Sequence, residues 1–200
     1  MNRFGTTQLT VSVILTLLTS SMMNPSRYVV GQERTIKSQR GSTVLVSTYN
    51  EIPEATEQCS PEEKRWWDSL RKAGDDLQKK MDAKSQTKFA VIFAEGLEKG
   101  YRIPLKDRPP QALLLGRVVF PDVVVARARA KGLKGSIELS IEYRADGSVG
   151  DVKIVKGLDK VMDGYVVAAA RQHIFLPAIK DGAFVTDWQS GAVRFSTQRN

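Results

Sequence analysis

Residues that could carry acid–base or metal chemistry are few and far apart in this sequence. His173 is the sole histidine and Cys59 the sole cysteine, so a metal site would need carboxylates alone beside His173. Glu138 and Glu142 share one face of a predicted strand, a placement typical of a solvated face without a pocket. Asp146 begins an Asp-Gly pair, which indicates a turn. The sequence also has no phosphate loop, nucleophile elbow or zinc-binding helix.

We therefore predict no enzymatic activity, no catalytic residue, no metal and no cofactor. His173 falls at the end of a predicted helix, where we expect it to cap backbone carbonyls or to pack on a sheet. Cys59 cannot form an internal disulfide, and it is expected to be reduced and partly buried. An intermolecular disulfide is the alternative for Cys59.

The N-terminal residues predict export. Arg3 precedes an uncharged run from Phe4 to Asn24, whose apolar centre has the length of a signal-peptide core. Cleavage after Ser21 fits the small residues there, although the usual alanines are missing. The run also just reaches the length that spans a bilayer, so an uncleaved inner-membrane anchor is the alternative. Residues 1–23 are thus predicted to be a signal peptide or a membrane anchor, and the protein to be periplasmic or secreted.

The charge balance favours an ordinary solvated basic surface. The chain has 30 Lys and Arg against 22 Asp and Glu, which gives a formal net charge of +8. Because the cations are spread along the chain without a long run, we do not predict binding to nucleic acid. Acidic partners such as an anionic membrane surface or a cell-wall polymer would still be attracted.

The middle of the chain predicts a linker and then a helical region. Residues 24–59 are predicted to be a linker, with one strand within Ser42 to Tyr49. The helical region, residues 60–110, opens with a helix from Pro61 to about Lys84, since Ser-Pro-x-Glu makes a capping box. The apolar positions of this helix form one stripe: Trp67, Leu70, Gly74, Leu77 and Met81. We expect the stripe to pack on the rest of the chain, with homodimerisation as the alternative.

A second apolar segment lies within the same region. Thr87 to Lys99 has helical spacing, although its centre, FAVIFA, would also fit a buried strand. Beyond it, three prolines break regular structure: Pro104, Pro109 and Pro110. We place the boundary with a C-terminal domain, residues 111–200, after these prolines.

The C-terminal domain is predicted to have the order β-β-α-β, with a three-stranded antiparallel sheet and an α+β fold class. Apolar and polar residues alternate from Ile137 to Tyr143, and a returning strand follows the Asp-Gly turn with an irregularity at Gly150. Lys160 to Gln172 is predicted to be a helix, whose sheet-facing residues are Met162, Val166, Ala169 and Ala170. A last strand begins at Gly191, with Val193 and Phe195 facing inward.

Several motifs occur in a fixed order along this domain. The stretch ARARAKGLKGSIELSIEYRADGSVGDVKIV contains a small-residue and arginine pattern, a glycine before the first strand and the Asp-Gly turn. Asp163 in the helix, the F-x-P motif at Phe175 and Pro177, and a turn at Gly182 come next. From Phe120 to the end, this arrangement resembles the C-terminal domain of the TonB family, envelope proteins that transmit inner-membrane energy to outer-membrane receptors.

The resemblance implies a binding module that acts by β-strand addition. The last strand would offer an open edge, to which an extended peptide can add through backbone hydrogen bonds. In the family that peptide is a short box near the N-terminus of an outer-membrane receptor. The predicted partner-binding residues are Gly191, Ala192, Val193, Arg194, Phe195, Ser196 and Thr197.

Two functions follow from these observations. The first is an exported envelope protein that couples to outer-membrane TonB-dependent receptors in transmembrane transport. The second is a structural or self-associating periplasmic or secreted protein without an energy-transducing role. The sequence lacks the proline-rich spacer and the membrane histidine expected of an energy transducer, and this favours the second.

The N-terminal run predicts what the mature protein should look like in cells. Mass spectrometry should find either a chain that starts near Met22 or an intact N-terminus in the membrane fraction, because both outcomes follow from an export segment. A full-length soluble product in the cytoplasm would contradict export.

Overall fold

A computed structural model describes residues 43–44, 51–55 and 59–195, which contain four helices and nine strands. The predicted leader, residues 1–23, lies outside the described residues. No helix among the described residues is long and apolar enough to cross a membrane. The elements are β1 (Thr43–Val44), α1 (Pro61–Lys80), α2 (Ala83–Glu98), β2 (Gln111–Leu114), β3 (Val118–Val119), α3 (Asp122–Ala130), β4 (Gly135–Tyr143), β5 (Val149–Lys156), α4 (Lys160–Ala170), β6 (Ile174–Leu176), β7 (Ala178–Lys180), β8 (Ala183–Val185) and β9 (Asp187–Phe195).

The start of α1 is the predicted capping box. The backbone N–H of Glu63 donates to Ser60 Oγ (3.2 Å), and the backbone N–H of Ser60 donates to Glu63 Oε2 (2.7 Å). The helix ends at Lys80, four residues earlier than predicted, because Met81 adopts a left-handed conformation (φ 51°). Met81 is therefore 41% exposed instead of buried, whereas the other four residues of the predicted stripe are buried.

The FAVIFA segment lies inside α2, so the alternative of a buried strand is wrong. The helix begins at Ala83 because the Asp82 carboxylate accepts a hydrogen bond from the Ser85 N–H (2.7 Å). Trp66 Nε1 of α1 donates to the Ile92 carbonyl of α2 (2.8 Å), and its ring lies where a side chain at Gly96 would be. The four buried residues of the α1 stripe thus pack within their own chain, as the first of the two predictions required.

The sequence between 24 and 59 contributes to this packing at two described places. Thr43 and Val44 of β1 pair antiparallel with Val119 and Val118 of β3, which confirms a strand within the predicted patch. Ile52 is 2% exposed among the residues of α1 and α2, and the carbonyl of Pro53 accepts a hydrogen bond from Trp67 Nε1 (2.9 Å).

The C-terminal sheet confirms the predicted α+β class and the β-β-α-β order. Its three strands lie in the order β5-β4-β9 and all pairs are antiparallel. The pairing of β4 with β9 runs without a break from Gly135 and Phe195 to Tyr143 and Asp187. The pairing of β4 with β5 shifts twice, and one shift includes the predicted irregularity at Gly150.

One face of this sheet carries the core of the domain. The inward residues of β4 pack with α3 and α4, and the four predicted sheet-facing residues of α4 are all buried. Val193 and Phe195 also face inward, as predicted, at 5% and 1% exposure. The last strand begins at Asp187, four residues before the predicted Gly191, because pairing with β4 continues to Tyr143. The sequence DWQS lacks the apolar alternation of the rest of the strand, so the pattern did not predict this part.

The short strands between α4 and β9 were not predicted. They connect the helical region to the rest of the C-terminal domain. β6 pairs with β2, and β7 pairs with β8 to form a hairpin. Phe175 of β6 belongs to the core of the C-terminal domain, whereas its neighbour Leu176 is buried among the residues of α1 and α2. The helical region and the C-terminal domain therefore share a packed boundary.

Phe175 is the clearest test of this packing. Its side chain is 1% exposed, and its ring centre lies 4.3 Å from that of Tyr143. Phe175→Ala should lower the free energy of unfolding by about 3–5 kcal/mol, measured by denaturant titration, because it leaves a cavity beside the sheet. Val123→Ala, at a residue that is 75% exposed, is the matched control and should change little. A loss below about 1 kcal/mol for Phe175→Ala would contradict the packing.

Candidate partner-binding edge

The last strand, β9, forms one edge of the three-stranded sheet. One side of β9 pairs with β4 along its full length, and no described strand pairs with its other side. Five of the seven predicted partner-binding residues lie on this strand, from Gly191 to Phe195. Ser196 and Thr197 lie outside the described residues.

Two hydrogen bonds at the end of β4 establish which backbone groups face which neighbour. The Arg144 N–H donates to the Ser148 carbonyl (3.0 Å) toward β5, and the Ala145 N–H donates to Thr186 Oγ1 (3.2 Å) toward β9. Backbone groups alternate sides along an antiparallel strand, so the odd-numbered residues of β4 face β9. Their partners in β9 are also odd-numbered. The N–H and C=O groups of the even-numbered residues therefore point to the outer edge: Trp188, Ser190, Ala192 and Arg194.

The side chains of β9 alternate in the same way. Gly191, Val193 and Phe195 are buried against the core, and Arg194 is exposed on the opposite face of the sheet. Arg194 makes no ion pair with any carboxylate among residues 59–195. Trp188 is 39% exposed, with Lys153 Nζ 4.4 Å from the centre of its ring. The outer edge of β9 thus presents backbone N–H and C=O groups. The side chains of β9 point to the two faces of the sheet and not over this edge.

The β4–β5 turn is a structural feature, as its sequence predicted. Asp146 accepts hydrogen bonds from the N–H (2.8 Å) and the hydroxyl (2.6 Å) of Ser148. These bonds, the hydroxyl first, hold the pKa of Asp146 below its usual value, so the side chain is a stable turn anion. Gly147 supplies the positive φ of 82° that the turn requires.

Glu138 and Glu142 also have structural roles on the outer face of the sheet. Glu142 Oε2 accepts from the Asp151 N–H (3.0 Å) and from Arg144 Nε (3.1 Å), and the first of these chiefly lowers the pKa of Glu142. The bulge brings Gly150 against this carboxylate, where a side chain would overlap it. Glu138 pairs with Lys156 (3.6 Å).

His173 packs on the sheet, which is one of the two roles predicted for it. Its side chain is 8% exposed, Nδ1 lies 2.8 Å from the Tyr143 hydroxyl, and the two rings are stacked. Burial lowers the pKa of His173 to about 4 and raises the pKa of the Tyr143 hydroxyl. At neutral pH the imidazole is therefore uncharged, and its Nδ1 can accept a hydrogen bond from the Tyr143 hydroxyl.

The described residues bring no chemical site together around these groups. Among residues 43–44, 51–55 and 59–195, no cluster of three or more His, Cys, Asp or Glu side chains could hold a metal ion. Cys59 is half-buried, as predicted. What these residues do form is a three-stranded sheet whose edge strand β9 has no described strand on its outer side.

Comparison with known proteins agrees with the predicted resemblance. Residues 125–197 match the family model for the Gram-negative bacterial TonB protein C-terminal. The chain is similar to the solution NMR structure of the Pseudomonas aeruginosa TonB C-terminal domain, with 21% identity over 48% of this chain and 94% of that chain and a TM-score of 0.35. It is also similar to the NMR structure of the Helicobacter pylori TonB C-terminal domain, with 22% identity over 40% of this chain and 70% of that chain and a TM-score of 0.29. No curated protein matches the chain significantly.

The buried His173 makes stability depend on pH. Its pKa is about 4 in the folded protein against 6.5 for the ordinary side chain. Between these pH values the unfolded chain therefore binds a proton at His173 that the folded protein does not. The stabilisation is fully present above pH 6.5 and is lost as the pH falls toward 4. Between pH 7.5 and pH 5 the free energy of unfolding should drop by about 2 kcal/mol in denaturant titrations.

His173→Gln is the matched control for this titration, since glutamine keeps a hydrogen-bond acceptor near Tyr143 but does not titrate. Its free energy of unfolding should change much less between pH 7.5 and pH 5. An equal drop in the variant would assign the pH dependence to other groups.

Proposed function

We propose that the protein is an exported envelope protein whose C-terminal domain, residues 111–200, binds an extended peptide of an outer-membrane receptor. The peptide adds as a fourth strand along the outer edge of β9. The observation that carries this proposal is the row of outward backbone groups at Trp188, Ser190, Ala192 and Arg194. The match of residues 125–197 to the TonB C-terminal family model supports it.

We propose β9, and not the other edge strand β5, because only β9 pairs with β4 in an uninterrupted register. The pairing of β5 shifts at two places, near Gly150 and near Val155, and bulges of this kind blunt an edge against further pairing. The pairing of β9 with β4 shifts nowhere along nine residue pairs. An incoming strand needs a regular row of donors and acceptors, which β9 offers.

In this proposal the rest of the domain is scaffold. The β4–β5 hairpin and α4 hold β9 in place through the core beneath it, so recognition runs through main-chain groups of β9. Side chains on the outer face, chiefly those of Arg194 and Trp188, adjust affinity. Residues 1–23 serve to export the chain or to anchor it in the inner membrane.

Binding without energy transduction is the second candidate function, and the packing of the helices favours it. α1 is about 30 Å long, but α2 folds back along it, and both pack against Leu176 and Ile179 of the sheet domain. A hairpin docked in this way adds little reach across a periplasm. The same edge of β9 could then pair with a second copy of the chain.

A proline at Arg194 tests the edge directly. The Arg194 N–H points outward, so Arg194→Pro should leave the β4 ladder intact but remove a donor and weaken peptide binding about tenfold or more. Arg194→Ala should weaken binding only modestly, because the backbone donor remains. The measurement is calorimetric titration of the full chain with a synthetic peptide from the N-terminal segment of an outer-membrane receptor.

A control variant and a second experiment complete this test. Val193→Pro is the matched control: its N–H faces β4, so this variant should lose stability where Arg194→Pro does not. Equal affinity of the folded Arg194→Pro and Arg194→Ala variants would exclude β9 as the binding edge. Recovery of a β-barrel receptor from outer-membrane extracts by the unmodified chain would separate receptor binding from self-association.

A further inference from the structure

A group of cations lies at the end of the C-terminal domain where β4 begins and β9 ends, since Gly135 pairs with Phe195. These residues, called the basic end below, come from the end of α3, the loop to β4, and the connection between β5 and α4. All are exposed: Arg127, Arg129, Lys131, Lys134, Lys156 and Lys160. In the sequence they form two separate clusters, and no single run of charge marks them.

Tertiary contacts bring the two clusters together. Asp159 caps α4 by accepting from the Val161 N–H (3.0 Å). The same carboxylate pairs with Arg127 of α3 (2.6 Å) and with Lys131, which directly follows α3 (3.6 Å). The loop before β4 lies against the same connection, since a Cβ added at Gly135 would lie 3.5 Å from Leu158. The end of α3 and the start of α4 thus form one surface.

The charge of this surface is only partly neutralised. Besides Asp159, its carboxylates are Asp163, which accepts from the Leu158 N–H (3.0 Å), and Glu138, which pairs with Lys156 (3.6 Å). Six cations against three carboxylates leave a net charge of +3 on one end of a small domain. Arg129, Lys134 and Lys160 make no ion pair with any other residue among 59–195.

Two exposed valines adjoin cations of the basic end. Val155 is 67% exposed because the second bulge of β5 gives it no partner: Leu139 pairs with Ile154 and Glu138 with Lys156. Val161 is 41% exposed in the first turn of α4. Each valine adjoins a lysine of the basic end in sequence. Exposed apolar side chains between cations fit an interface with a headgroup layer above and hydrocarbon below.

We propose that the basic end is a contact surface for an anionic lipid bilayer. The six cations attract acidic headgroups, and Val155 and Val161 enter the boundary between the headgroups and the acyl chains. A soluble polyanion would use the cations but would gain nothing from the valines, which is why a bilayer fits the surface better. The contact uses none of the four residues whose backbone groups point to the outer edge of β9, so it can be tested separately from the proposed peptide site.

The test uses the full chain and vesicles of phosphatidylglycerol and phosphatidylcholine. The quadruple variant Arg129→Gln, Lys134→Gln, Lys156→Gln and Lys160→Gln removes four cations but keeps the contacts of Asp159 with α3. The matched control neutralises four exposed lysines elsewhere: Lys72→Gln, Lys79→Gln, Lys84→Gln and Lys180→Gln. Partition of the quadruple variant onto anionic vesicles should be at least about tenfold weaker than that of the control variant.

Hydrogen exchange on the same samples reports contact at the basic end itself. Anionic vesicles should slow exchange of amides 129–135 and 155–161 in the wild type and the control variant, but not in the quadruple variant. This readout keeps its meaning if residues 1–23 hold every variant on the vesicles. A double variant, Val155→Ser and Val161→Ser, should weaken the protection and leave binding to heparin, a soluble polyanion, unchanged.

Two outcomes would overturn the proposal. Equal protection by anionic vesicles in the quadruple and control variants would show that the basic end does not contact lipid. A serine double variant that matches the wild type on vesicles would make the surface a general polyanion site. Receptor-peptide titration without vesicles should give the same affinity for all these variants, so failure of one proposal leaves the other standing.

Discussion

The unbroken pairing of β4 with β9 is the constraint on which the rest of the C-terminal domain depends. β4 is the central strand, and its inward residues Ile137, Leu139 and Ile141 are at most 2% exposed. Because the pairing has no shift, the two strands keep their alternation in phase for nine residue pairs. One register therefore decides both which side chains of β9 enter the core and which backbone groups reach the outer edge. A slip by one residue would turn Phe195 outward and Arg194 into the core.

The opposite edge strand, β5, pairs irregularly with β4, in contrast to β9. The two bulges of β5 disturb its pairing. One brings the buried Gly150 against the Glu142 carboxylate, and the other leaves Val155 exposed beside Lys156. The sheet thus has one regularly paired edge strand and one edge strand interrupted by bulges. Bulges of this kind reduce unwanted edge-to-edge association.

The packing of β6 links the helical hairpin to this sheet. Phe175 faces the sheet core beside Tyr143 and His173, and the adjacent Leu176 faces α1 and α2. Because successive residues of a strand point to opposite sides, three residues of strand are enough to join two cores. The uncharged His173 belongs to the same junction, since its hydrogen bond to Tyr143 satisfies a polar group that burial would otherwise penalise.

The sequence by itself determined the elements whose signals are local. Alternation predicted β4 and the inward residues of β9, the capping box predicted the start of α1, and the Asp-Gly pair predicted the turn, because each depends on neighbours within a few residues. Only the tertiary structure decided the rest. The strands β6, β7 and β8 are three residues each, too short for a periodic signal; β6 pairs with the distant β2, and β7 and β8 form a short hairpin with each other. The outer edge of β9 depends on pairing with the distant β4, and the basic end joins two segments that are separate in the chain, so both follow from long-range register and packing.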